Sequence, residues 1–235
     1  MDKDVKSYGF DGSAPQGIGR KVTSVYVYEA PVRLWHWVTV LCIIVLSVSG
    51  YLIGAPLPSS PHYHFVLGYI RFAHFAAGYI LAVGLIGRLY WALVGNHHAR
   101  EIILVPVWDK AWWSEFFFEI RWYLFLERYP KKYIGHNPVG QIAMASFLWA
   151  ALFMCASGFA LYGEGLGAGS WADTAFGWML PLFGGSLDLH AWHRLGMWAI
   201  IVFVMIHVYA AIREDIMSKQ SMVSTMISGF RMFKD

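Results

Sequence analysis

Residues 191–213 read AWHRLGMWAIIVFVMIHVYAAIR, and from Leu195 to Ile212 the run holds no Asp, Glu, Lys or Arg. A stretch this apolar and this long matches the ~20 residues that cross a hydrocarbon core. It must be helical, because in lipid the backbone has to satisfy its own polar groups. Two histidines lie in it, His193 and His207, and ionisable residues inside or at the ends of a span are rare and usually functional. They stand 14 residues apart. At about 100° per residue that falls about 40° short of four turns, so the two imidazoles share a face about 21 Å apart along the axis. This spacing suits two separate cofactors rather than one metal ion.

Working outward, three further stretches have the same character, at roughly 33–54, 69–94 and 137–163. Pro56 and Pro58 end the first, since proline breaks a helix interior. Over the whole chain of 235 residues, 57% are hydrophobic and 14% charged, with a mean hydropathy of +0.47. A soluble domain carries about 25% charged residues, so the composition predicts an all-α membrane protein with a bundle of four transmembrane helices. Residues 25–235 form its single domain, and the polar residues 1–24 read as a disordered tail. The two Cys sit in apolar runs and form no C-x-x-C-H, which excludes a disulfide scaffold, covalent haem attachment and a thiolate-held cluster. A net charge of +3 is too small to argue for nucleic acid.

Trp108–Glu127 is aromatic-rich but carries Glu115, Glu119 and Arg121 at its centre. Three central charges are too costly for a span. The segment reads as an amphipathic connector helix on the cytoplasmic side, either lying in the interface or leaning on the bundle.

The connections sort by charge. The N-terminal segment, residues 95–136 and the C-terminal tail hold Lys and Arg; residues 55–68 and 164–189 hold none. The positive-inside rule places both termini and the 95–136 loop in the cytoplasm, and the other two loops outside.

Depth then pairs the histidines. His36 lies near the cytoplasmic start of the first helix and His74 near the outer start of the second. His193 is outer and His207 half a bilayer deeper. The matching pairs are His74 with His193 and His36 with His207, each a bis-imidazole arrangement of the kind that holds a b-type haem iron. His62, His64, His97, His98 and His136 fall in predicted loops and read as ordinary solvated histidines; His190 sits at the mouth of the fourth helix. Gly50 lies 14 residues after His36 at the outer depth; it admits a flat macrocycle, or equally packs two helices. Arg33 and Arg71 each precede a ligand candidate by three residues; Arg194 is a third such candidate, and Arg88, 14 residues after His74, a fourth at the inner depth. They read as partners for haem propionates, or as side chains reaching lipid phosphate.

At this point the residues resemble a known family. Tyr26-Val27-Tyr28-Glu29-Ala30-Pro31-Val32-Arg33-Leu34-Trp35-His36-Trp37 resembles the cytochrome b subunit of membrane-bound nickel–iron uptake hydrogenases. So do Gly68-Tyr69-Ile70-Arg71, Gly135-His136-Asn137-Pro138, Trp192-His193-Arg194-Leu195-Gly196-Met197-Trp198 and the run from His207 to Met217. The likeness covers about residues 25–235, and a more distant one joins it to the cytochrome b subunits of formate dehydrogenases. It implies two b haems on the same four histidines. It also implies attachment to the small and large hydrogenase subunits on the periplasmic side, and electron transfer to quinone. By likeness to the formate-dehydrogenase cytochromes, quinone binds close to His207; Asn137 and Gln141, at the start of the third helix, are candidate polar contacts. His136 reads as a plain loop histidine or as a proton donor to that quinone. Two rival readings remain, a cytochrome serving another periplasmic oxidoreductase and a His-lined metal or proton transporter.

Overall fold

The structure is a computed structural model and describes residues 22–55 and 65–234. Four long helices dominate it: α1 (Ala30–Gly54), α2 (Val66–Val94), α5 (Pro138–Leu166) and α8 (Ser186–Met217). Each is long and apolar enough to cross a membrane. Leu41, Val83, Ile86 and Trp149 each expose well over half their surface, as lipid-facing side chains do. These are the four predicted spans, the first three a few residues longer than expected and α8 extended at both ends to Ser186 and Met217. Pro31 and Pro138 sit in first turns, where their missing N–H costs nothing. Asn137 caps α5 with its side chain, accepting from the Gly140 N–H at 2.7 Å.

The described residues fall into two compact units, and all four long helices contribute to both. The first comprises the chain up to Leu34, Tyr90–Ala145 and Met205 onward. Here α3 (His97–Arg100), α4 (Lys110–Tyr123) and α9 (Met222–Ser228) accompany a two-stranded antiparallel ribbon of β1 (Val22–Tyr26) and β2 (Phe230–Lys234). The all-α expectation omitted this ribbon, and its first strand begins inside the segment read as a tail. Residues 1–21 lie outside the described residues. Gly229, at φ +87°, turns the chain from α9 into β2, and its carbonyl receives the Val27 and Tyr28 N–H groups. Val25, Val27, Tyr28, Val32 and Ala99 form the buried core of this unit, joined by Trp91, Met226 and Phe233. The Glu29 carboxylate accepts from Trp91 Nε1 and the Asn96 N–H.

The connector helix α4 is a packed helix of this unit. It buries Trp112, Glu119 and Trp122. Two of its other charges are paired, Glu115 with Lys131 and Arg121 with Glu127, both at 2.7 Å.

The second unit comprises Trp35–Leu89 and Ser146–Val204. Between α5 and α8 it adds two short helices, α6 (Trp171–Phe176) and α7 (Met179–Leu182). Ala160, Met179 and Leu189 form its core with Phe153, Phe176 and Phe183. Aromatic pairs tie α2 to α5, including Phe75–Tyr162 at 4.8 Å and Tyr79–Phe159 at 5.3 Å between ring centroids.

Candidate functional site

The second unit brings His74 of α2 and His193 of α8 together, with ring centroids 6.5 Å apart and planes at 70°. An imidazole nitrogen lies about 1.2 Å from its ring centre and binds metal at about 2 Å, so two imidazoles on opposite sides of one metal have centroids about 6.4 Å apart. The observed spacing is the one a single iron would bridge.

Each ring is held by a serine. Ser49 Oγ donates to the Val45 carbonyl and lies 2.9 Å from His74 Nδ1. Ser157 Oγ donates to the Phe153 carbonyl and lies 2.7 Å from His193 Nδ1. A hydroxyl has one proton to give. Because the carbonyl takes it, each serine oxygen accepts from the Nδ1–H of its histidine. That places the proton on Nδ1 and leaves Nε2 as the basic nitrogen, the form a metal ligand needs.

A glycine follows each serine. A Cβ at Gly50 would lie 3.1 Å from His74 Cε1, and one at Gly158 would lie 3.3 Å from His193 Cε1. Both glycines therefore leave room for a ligand ring. Gly50 is thus close to the candidate cofactor through His74. Gly158 and the two serines went unread in the sequence, where Ser-Gly at 49–50 and again at 157–158 was the available signal. Neutral Nε2 donors from two helices, oriented through their other nitrogen, fit a bis-imidazole haem.

The other candidates are distributed as follows. His36 lies on α1 in the second unit, edge-on to Trp37 at 5.1 Å, and His207 lies on α8 in the first. Their pairing rests on sequence spacing. Arg88 is buried with its guanidinium 5.5 Å from the Trp35 ring centre. Arg71 and Arg194 are exposed, and a Cβ at Gly54 would meet Arg194 at 3.8 Å. Arg33 donates to the Ile227 carbonyl near the end of α9.

In the first unit Asn137 is fully engaged, donating to Glu119 Oε2 at 2.9 Å and to Tyr123 Oη at 3.2 Å while it caps α5. Gln141 Oε1 accepts from Trp112 Nε1 at 2.7 Å. His98 and His136 are not solvated loop residues. They lie 2.6 and 2.9 Å from the two carboxylate oxygens of Glu101, and Tyr28 Oη is 3.2 Å from His136 Nδ1. Burial alone would raise the Glu101 carboxyl, but hydrogen bonds from His136 and His98 overcome it and hold the group at about 2. His62 and His64 lie outside the described residues.

Known proteins agree with this picture. The profile of the family described as prokaryotic cytochrome b561 matches residues 27–229. A protein of Azotobacter chroococcum mcd 1 called "Probable Ni/Fe-hydrogenase B-type cytochrome subunit" is 67% identical over 220 residues, covering 92% of each chain. One of the same name from Azotobacter vinelandii is 66% identical with the same coverage. The "Probable Ni/Fe-hydrogenase 1 B-type cytochrome subunit" of Escherichia coli (strain K12) is 51% identical over 91% of this chain and 93% of its own length. The resemblance read from the motifs is thereby borne out. With four membrane-length helices, a serine-oriented histidine pair and this similarity along nearly its whole length, the chain belongs to the prokaryotic cytochrome b561 family, among the nickel–iron hydrogenase B-type cytochromes.

Proposed function

We propose that this chain is the membrane electron carrier of a hydrogen-oxidising complex, with two b haems and quinone as the electron acceptor. The observation that carries the reading is the His74–His193 pair, spaced for one iron and oriented by Ser49 and Ser157. The second haem is a reading of the sequence, in which His36 and His207 match in depth. A haem held by such a histidine pair would supply reversible one-electron transfer rather than ligand chemistry. Arg71, Arg88 and Arg194 serve the propionates.

The segments that the positive-inside rule assigns to the cytoplasm all belong to the first unit, and the loop of residues 164–189 belongs to the second. This division supports a chain in the bacterial inner membrane with both termini cytoplasmic. The hydrogenase small and large subunits then dock on the periplasmic side, against the loops at 55–68 and 164–189. Electrons enter at the His74/His193 end and leave to quinone near His207, where Gln141 and Asn137 line the approach. The names of the relatives favour hydrogenase over formate dehydrogenase as the donor.

The deciding experiment is a reduced-minus-oxidised optical spectrum of the assembled complex with a haem count per chain. Two low-spin haems per chain and hydrogen-driven quinone reduction are expected. One haem per chain in the intact complex overturns the two-haem assignment. Replacing Gln141 by Leu should slow quinone reduction and leave haem reduction by hydrogen unchanged.

A further inference from the structure

Glu119 is a carboxyl that electron transfer alone does not require. It sits on the inner face of α4 and is 1% exposed. Oε2 accepts from Asn137, while Oε1 is buried and meets no full hydrogen-bond partner. Native proteins rarely leave a buried polar oxygen in that condition. A buried carboxylate with an open oxygen is better satisfied when it carries a proton or faces a proton-exchanging ligand.

The surroundings join this carboxyl to solvent. Glu115, one turn earlier on α4, is 38% exposed at its side chain and is bound by Lys131. The Tyr133 hydroxyl donates to Glu115 Oε2 at 2.8 Å and faces Glu119 as well. Beyond Glu119, Asn137 connects to the Tyr123 hydroxyl. The linked groups run in the order Glu115, Tyr133, Glu119, then Asn137 with Tyr123, and Glu119 is the most buried of them. Every member lies in the first unit.

We propose that Glu119 is the proton-donating group for quinone reduction on the cytoplasmic side, recharged from water through Tyr133 and Glu115. The proposal rests on the quinone reading above. Reduction of a quinone to a quinol takes two electrons and two protons. The electrons come from hydrogen oxidation. For each proton, the Glu119 O–H bond breaks as a quinol O–H bond forms, leaving a carboxylate. Tyr133 passes its hydroxyl proton to that carboxylate and takes another from the Glu115 side, so the relay returns to its starting state. A second round completes the quinol.

The electrostatics suit the task. Burial pushes the Glu119 carboxyl up to about 7; Tyr133 and Asn137 pull it down, and the charges of Glu214 on α8 and Glu115 on α4 push it further up. Arg213, beside Glu214, spends one N–H on that carboxylate and another on the Trp122 carbonyl. A general acid works best when it titrates near the working pH. Tyr133 is raised, first by burial and then by its bond to Glu115, so it stays neutral and can relay.

The test uses the whole membrane complex. Infrared difference spectra across about pH 5 to 8 should show a protonated carboxyl band that titrates near neutrality and disappears in Glu119→Gln. Glu119→Gln should lower hydrogen-driven quinone reduction at least tenfold while hydrogen still reduces the haems at the wild-type rate. Glu119→Asp should restore part of the turnover. Tyr133→Phe should keep the infrared band and slow turnover. Wild-type turnover in Glu119→Gln at every pH overturns the proposal. If Glu119→Gln does not assemble, the wild-type spectrum and Tyr133→Phe decide: no titrating band, or undiminished turnover, overturns it. A wild-type complex whose haems are reduced but which reduces no quinone overturns the quinone reading instead, and the infrared titration still reports on Glu119.

Discussion

Ser157 Oγ lies 2.7 Å from Nδ1 of His193 while donating its own proton to the carbonyl of Phe153, four residues back on α5. The relation is repeated by Ser49 and His74 on other helices. Each of the two rings is thus tethered by a neighbouring helix, so neither imidazole would have to find its orientation if a cofactor bound between them.

Ser157→Ala and Ser49→Ala should each keep the fold and weaken haem retention by roughly ten- to a hundredfold, the usual cost of losing a ligand's outer hydrogen bond. His193→Ala should lose that haem outright and keep the other. Haem titration of the purified complex, read by absorbance and midpoint potential, separates the two cases. Full retention and an unchanged potential in Ser157→Ala would show that the hydroxyl does not orient the ring.

Gly50 and Gly158 admit no side chain without moving a ligand ring by a few tenths of an ångström. Gly50→Val and Gly158→Val should abolish haem binding at the His74/His193 site, whereas Gly87→Val, at a position with open space around it, should not. The optical spectrum reads both outcomes.

Glu101 binds two histidines from within the first unit. Its carboxyl is held at about 2, below the ordinary 4.5, so its contribution to stability is complete above about pH 4.5 and is lost as pH falls toward 2. Glu101→Gln should cost roughly 1–3 kcal/mol at neutral pH. It should also flatten the acid limb of the unfolding profile. Thermal unfolding in detergent at several pH values measures this.

Glu119 has the opposite sign. Its folded-state value of about 7 lies above the ordinary 4.5, so it supports the fold below about pH 4.5 and withdraws that support as pH rises through 7. Glu119→Gln should therefore stabilise the protein more at pH 8 than at pH 5, provided Asn137 keeps its bond to residue 119. A variant equally stable or less stable at pH 8 would contradict the assigned direction.

In the 164–189 segment, proposed to face the periplasm, Trp178, Leu182 and Leu187 are exposed at 57%, 67% and 87%, in an apolar stretch with no Lys or Arg. Aromatic and aliphatic side chains of this kind form interface cores. A photo-crosslinker at Trp178 should capture the hydrogenase small subunit, and one at Arg128 should not. Capture only from Arg128 would invert the topology.

The four spans were legible because one requirement, backbone satisfaction in lipid, governs some twenty residues at a time. The histidine at position 193 was legible because an ionisable group stands out against such a background. Ser49 and Ser157 were not, since a serine bonding back to the fourth residue before it is common in membrane helices. What matters is the lone pair it turns toward a histidine on a different helix. His136 looked solvated for a related reason: its partner Glu101 is 35 residues away in sequence. The ribbon escaped notice because each strand is five residues long and finds its partner about 200 positions away.

That ribbon has a consequence for the order in which the protein is made. Val22–Tyr26 leaves the ribosome before the first membrane helix, but Phe230–Lys234, which pairs with it, comes after the fourth. At roughly 5–20 residues per second the first strand waits some ten to forty seconds with an open edge. The pairing closes only after all four membrane helices have been synthesised, so a completed ribbon marks a chain in which every span has already been made.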